Sequence, residues 1–200
     1  MRRLIPLLAL IAVAFCCGFY AGGRKRVARP LFHDMIVEHP HEYSALVTPT
    51  DKRVRRLAAQ LTTPEHAYLY VRDRIAYDPS LPAQTAGVIL DEKRASCLGK
   101  AVLLCSLYRA MGIPASDVRV VTGEVVSSPD SIIDHAWIEM EHDGICIQQD
   151  PTSLLGFFDF DQFRGMAYTR AFIRREGFTF NDRHFAIVSR LNMLRGSGHP

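Results

Sequence analysis

Apolar positions fall into three regimes along this chain. The first is an unbroken run: Leu4 to Gly23 carries no charged residue, with Arg2 and Arg3 before it and Arg24, Lys25 and Arg26 after it. At about 1.5 Å per helical residue such a run reaches roughly 30 Å, the thickness of a hydrocarbon core. It predicts a single membrane-spanning helix over residues 4–23. A cleavable export signal is the rival, because Ala21 and Gly23 loosely fit a small-residue cleavage site. The run is long for a signal core, which favours the uncleaved anchor.

The second regime is helical. Residues 24–48 read as a polar tether with Pro30, Pro40 and three histidines, His33, His39 and His41. A domain is expected over 49–195. Val54, Leu57, Ala58 and Leu61 fall on one face of a helix over 51–61, capped by Thr50. Thr63-Pro64-Glu65 supplies a cap, a first-turn proline and a dipole-matching acid for a helix running to Tyr77, stopped by Asp78-Pro79. A loop over 79–96 precedes a helix from Cys97 to Met111, apolar nearly all round and therefore buried on most sides, with Ser96 as its cap.

The third regime alternates. Val118 to Val126 reads as a strand, and Ser127 to Asp134 as a polar loop. Ala136, Ile138 and Met140 alternate with His135, Trp137 and Glu139. Asp143-Gly144 is a strong two-residue hairpin signal, with Ile145 to Asp150 as the returning strand. The last fifty residues are rich in aromatics, suited to core and lid packing or to a substrate wall. There we expect a helix over 161–174 and a strand over 178–188.

Charge refines this picture. The whole chain is formally +3, but residues 31–200 hold 18 basic and 21 acidic side chains, a net −3. The basic surplus flanks the apolar run, which fits membrane borders and argues against nucleic-acid binding. The flanking charges pull in two directions over orientation; a basic pair followed by an apolar run favours the exported, extracytoplasmic side of a cell membrane.

Of five cysteines, Cys16 and Cys17 lie in the apolar run, and Cys97, Cys105 and Cys146 in the body. Three is odd, so at least one body thiol has no partner within the body. No CxxC or zinc-spaced His pair occurs, and no metal or organic cofactor is expected. Cys97 stands where a helix begins, and unpaired N–H groups and the helix dipole stabilise a thiolate there. If Asp143 and Gly144 form a two-residue turn, His142 pairs with Ile145 and Asp150 falls opposite Trp137. His135 and Asp150 then become diagonal neighbours on one face, roughly 7–8 Å apart at the backbone. A three-residue turn would break that geometry. Cys, His and Asp so placed are the parts of a thiol-nucleophile site. The Cys97 N–H and a side chain, Tyr77 ahead of Gln84 and Trp137, are candidate oxyanion donors.

Tyr68 to Thr152, about 85 residues, resembles the transglutaminase-like superfamily of papain-like thiol enzymes. The resemblance rests on VRDRIAYD, SCLGKAVLLCSLYRAMGIP, HAW and DPT, in that order. It implies Cys97 as nucleophile, His135 as general base and Asp150 as the orienting carboxylate. It also implies an α+β fold in which a Cys-bearing helix packs on an antiparallel sheet carrying His and Asp. Ala95-Ser96 stands where many members have glycine before the nucleophile. The resulting expectation is a membrane-tethered thiol enzyme acting on amide bonds of a protein or peptide, as a peptidase, amidase or transglutaminase-type acyl transferase. The rival is a non-catalytic binding or assembly module of the same fold.

Overall fold

A computed structural model describes residues 40–188. The expected membrane segment, residues 4–23, lies outside them. Among the described residues no helix is long and apolar enough to cross a membrane.

Packing against the domain begins within the expected tether. Helix α1 (Pro40–Leu46) places Tyr43 against Phe178 and Phe180, with ring centroids 4.8 and 5.6 Å away. Val47 behind it is buried. Apolar burial, invisible in a short Pro- and His-containing stretch, therefore draws the end of residues 24–48 into the domain.

Helix α2 (Lys52–Leu61) is capped by Asp51, which accepts from the Arg53 N–H, and not by Thr50. Helix α3 (Pro64–Arg74) starts as expected, with Thr63 accepting from the His66 N–H. It ends a turn early. Ala76–Tyr77 instead forms strand β1, in parallel register with β2 (Arg94–Ala95). Between these strands, inside the expected 79–96 loop, lies helix α4 (Ala86–Glu92), whose Ala86, Ile89 and Leu90 are buried. It is two turns long and its cap residue, Thr85, makes no side-chain cap bond. It rests on tertiary burial and on a backbone cap at its end, where the Lys93 N–H donates to the Ile89 carbonyl.

The early end of α3 has a visible cause. Lys100, from the next helix, is almost fully buried and donates to the carbonyls of Arg72 (3.0 Å) and Ile75 (2.8 Å). A side-chain ammonium thus closes the helix C-terminus and leaves the following residues free to pair with β2. Burial pushes the Lys100 ammonium down to about 8, against the pull of Asp150 and Asp73. Between that value and the ordinary lysine value near 10.4 the unfolded chain binds the extra proton, so stability rises with pH there. Lys100→Met is expected to lower stability by about 1–3 kcal/mol, from two carbonyls left without a donor. It should also abolish that alkaline gain. Urea melts at pH 7.5 and 10 check both; equal pH dependence in the two proteins would contradict the buried-ammonium account.

Helix α5 (Cys97–Ala110) is buried from Cys97 through Tyr108. Ser96 caps it by accepting from the Gly99 N–H. Gly99 is needed for close approach: a Cβ there would lie 2.8 Å from the Ala95 Cβ on β2. The helix closes before Gly112, whose φ is +95°.

Strands β3 (Val118–Ser128) and β4 (Ser131–His142) are longer than expected, so the 127–134 loop shrinks to a turn at Pro129-Asp130. Strand β5 (Ile145–Gln149) follows the two-residue turn at Asp143-Gly144, both at positive φ, with His142 opposite Ile145. After β6 (Phe163–Arg164), the expected 161–174 helix is only α6 (Ala167–Phe172). The expected 178–188 strand is two, β7 (Ile173–Phe180) and β8 (Phe185–Ile187). Asn181 breaks it: its amide donates to the Ala115 and Val118 carbonyls while its oxygen accepts from the Arg183 and His184 N–H groups, fixing a turn.

The main sheet runs β6-β5-β4-β3-β7-β8, antiparallel throughout. Ala136, Ile138 and Met140 face the core shared with the helices. Trp137 faces a second cluster with Val121, Val125, Phe158 and Tyr168. The C-terminal aromatics divide between the two faces: Phe160, Phe178, Phe180 and Phe185 pack with the helix-side core, Phe158, Phe163, Tyr168 and Phe172 pack with the second cluster, and Phe157 is 79% exposed. An α+β fold, with the Cys-bearing helix on an antiparallel sheet, is what the chain forms.

Candidate active site

Helix α5 and the β4–β5 hairpin supply the candidate groups, and each is placed by a local feature. Capped by Ser96 and braced on β2, α5 presents Cys97 in its first turn, where backbone N–H groups lack helical partners. Cys97 is 8% exposed. The two-residue turn sets the β4–β5 register, and with it the histidine and the aspartate.

His135 and Asp150 are fully buried, with His135 Nε2 2.9 Å from Asp150 Oδ2. The other ring nitrogen, Nδ1, is buried without a partner in strict hydrogen-bonding geometry. Cys97 nonetheless interacts with the ring through hydrogen bonding and charge. A thiol–imidazole contact of this looser kind is usual before substrate tightens a site. Burial disfavours the imidazolium, but the Asp150 charge and hydrogen bond, followed by Cys97, outweigh it and lift His135 to about 10.

The Asp150 carboxylate is saturated. Oδ1 accepts from the Thr152 N–H (2.9 Å) and Thr152 hydroxyl (2.7 Å); Oδ2 accepts from His135 and from the Tyr168 hydroxyl (3.0 Å). Burial pushes this carboxyl up, but His135 and the Thr152 bonds reverse that and leave it below its ordinary value. The backbone is pinned as well: the Tyr68 hydroxyl is shared between the Asp150 and Phe158 carbonyls, at 3.2 and 3.0 Å.

Tyr77 lies on β1 opposite Ala95, two residues from the thiol. Burial, then the charges of Cys97 and Asp150, push its hydroxyl up to about 12. It stays protonated, and it makes no hydrogen bond among the described residues. Gln84 is less available, because its amide donates to Glu92 at 2.8 Å. Trp137 is fully buried, 5.8 Å from the Tyr168 ring, with its indole N–H unpartnered.

The structure therefore brings Cys97, His135, Asp150 and Tyr77 into one neighbourhood. Sequence reasoning missed Thr152, Tyr168, Tyr68 and Lys100. Thr152 was findable, since Asp-x-Thr favours a local turn in which the carboxylate accepts from the residue two ahead. Tyr168 had no signal among the eight phenylalanines of the C-terminal region.

The other body thiols differ in kind. Cys105 is fully buried and burial raises its thiol far above the usual range; burial and Glu139 push Cys146 up to about 11. Among the described residues no group of three or more His, Cys, Asp or Glu side chains could hold a metal ion.

A family model described as the transglutaminase-like superfamily matches residues 50–150. No curated protein matches the chain. Solved structures similar to it include a cysteine protease candidate from Cytophaga hutchinsonii, 18% identical over 69% of this chain and 51% of that one, TM-score 0.44. Another is LapG from Legionella pneumophila in an EGTA-treated form, 12% identical over 74% and 84% of the two chains, TM-score 0.48. A third is a TGase, 12% identical over 70% and 37%, TM-score 0.37. The chain thus spans about half the length of the Cytophaga protein.

Proposed function

Because this chain belongs to the transglutaminase-like superfamily, we propose that it is a thiol enzyme acting on amide bonds of a protein or peptide through Cys97, His135 and Asp150. The observation that carries this reading is the buried His135–Asp150 pair, with Cys97 near enough to the imidazole to raise its basicity.

The chemistry follows from the protons. Imidazole takes the thiol proton, giving a thiolate and an imidazolium that the Asp150 carboxylate stabilises. The thiolate attacks the amide carbonyl; the oxyanion meets the Cys97 N–H and the Tyr77 hydroxyl. Collapse breaks the C–N bond, and the imidazolium gives its proton to the leaving amine. An acyl-thioester remains. Water, deprotonated by His135, releases an acid and restores the thiol; an amine in place of water gives acyl transfer. Hydrolysis is the default, since acyl transfer requires that water be kept out. No cofactor takes part in this scheme.

The uncharged run Leu4–Gly23 between basic flanks supports a tether that holds the domain at the exported face of a cell membrane.

Iodoacetamide labelling of the full chain, read by mass spectrometry at each cysteine, tests the proposal. At pH 7 we expect Cys97 to react at least about tenfold faster than Cys105 or Cys146, and His135→Ala to remove that advantage. Cys97 reacting no faster than Cys105, with or without His135, would leave a binding module of the same fold. Peptide substrates with and without an added primary amine then separate cleavage from acyl transfer.

A further inference from the structure

The family match stops at residue 150, yet the carboxylate at that position is completed by a residue well beyond it. Tyr168, on α6, donates its hydroxyl to Asp150 Oδ2 at 3.0 Å. That is the oxygen held by His135 Nε2. The hydroxyl is fully buried, and the ring is fixed by Phe172 (5.1 Å), Phe163 (5.2 Å) and Trp137 (5.8 Å). The Thr152 bonds come from a local turn two residues away. The Tyr168 bond does not: it requires α6 to be packed on the second face of the sheet.

From this geometry we infer that Tyr168 is a positioning residue, which sets how tightly Asp150 holds the His135 imidazolium. The inference rests on the thiol-enzyme reading above. A phenol donating to Oδ2 draws negative charge from the oxygen that binds Nε2–H, so the carboxylate orients the ring without retaining the imidazolium so firmly that the leaving amine goes unprotonated. Tyr168 remains a donor throughout, because burial and Asp150 raise its own titration far above neutrality. The other titratable groups facing the pair are Cys97 and Lys100 from α5, Tyr68 from α3 and Tyr77 from β1.

The test is the pH profile of Cys97 alkylation by iodoacetamide in the full chain, for the native protein, Tyr168→Phe and His135→Ala. Phenylalanine keeps the ring contacts. The native profile should show two steps, one as the thiolate–imidazolium pair forms and one at higher pH as the imidazolium loses its proton. Tyr168→Phe should move the second step up by about half to one pH unit, because Asp150 then holds the ring more strongly. On a peptide that the native enzyme cleaves, kcat should fall several-fold with KM unchanged. Lys100 titrates alike in both proteins, so the difference isolates Tyr168. A native profile with one step that His135→Ala leaves unchanged would sink the thiol-enzyme reading itself. Two native steps, collapsed by His135→Ala but unmoved by Tyr168→Phe, would overturn the role of Tyr168 alone. For the case of a poorly folding variant, the phenolic-carbon NMR shift of Tyr168 in the native protein should follow the second step; a shift flat through it would also overturn the inference.

Discussion

Replacing Cys97 with alanine is expected to abolish amide-bond turnover, by on the order of 10⁶-fold, while leaving the fold intact. The size of the loss follows from the scheme, because Cys105 and Cys146 are driven toward the protonated form by burial and neither can stand in for Cys97. Binding and oxyanion donors left behind supply only the small residue of catalysis that orientation alone provides. The change should be structurally mild. Position 97 is the first residue of α5, Ser96 retains its cap bond to Gly99, and alanine is a good helix former. Turnover of a peptide substrate, an acyl-enzyme adduct in the native protein by mass spectrometry, and matched thermal melts together check the outcome. Retained turnover in the variant would move the chemistry away from this thiol.

Asp150→Ala should be costly twice over. In catalysis, the imidazole loses the group that fixes its orientation and stabilises its charge, and a fall of about 10³–10⁴-fold is expected. In stability, removal of the carboxylate strands His135, the Tyr168 hydroxyl and both Thr152 donors inside the protein, a situation that costs about 3–5 kcal/mol. The pH dependence has a definite sign. His135 is raised to about 10 in the folded protein, so its contribution is fully present below its ordinary value near 6.5 and is lost as pH rises toward 10. Asp150 is lowered, so its contribution is present above the ordinary value near 3.9 and is lost as pH falls through its folded value. The stability gap between native protein and variant should therefore be widest between about pH 4 and 6.5 and narrow on either side. Urea melts at pH 5.5 and 9 measure it. A gap equal at both would mean that the pair carries no net charge interaction.

How far the sequence reached differs from element to element. Helix α5 and its cap, the start of α3 and the two-residue turn were legible because each is specified by neighbours a few residues apart. Helix α4 was not: its seven residues lack a side-chain cap at the start and owe their burial to packing against residues distant in sequence. The last turn expected of α3 went to β1 because a lysine 25 residues further along satisfies the Ile75 carbonyl. The single C-terminal strand became two because Asn181 binds carbonyls more than sixty residues away. At the site, the three candidate side chains could be read from their local settings, whereas Tyr168 and Tyr68, which hold Asp150 from two other elements, could not.

Taken alone, the sequence determined the candidate groups and their frame: a thiol at a capped helix start, and a histidine and a carboxylate brought to one face by an Asp-Gly turn. Those are short-range facts of backbone conformation and pairing parity. Only the tertiary structure decided that the imidazole and carboxylate are sealed from water, that four donors converge on Asp150, and that the C-terminal aromatics divide between the sheet's two faces. Burial and charge depend on what the rest of the chain packs around a group, so the basicity of His135 is set by residues from α5, β4, the turn after β5 and α6 together.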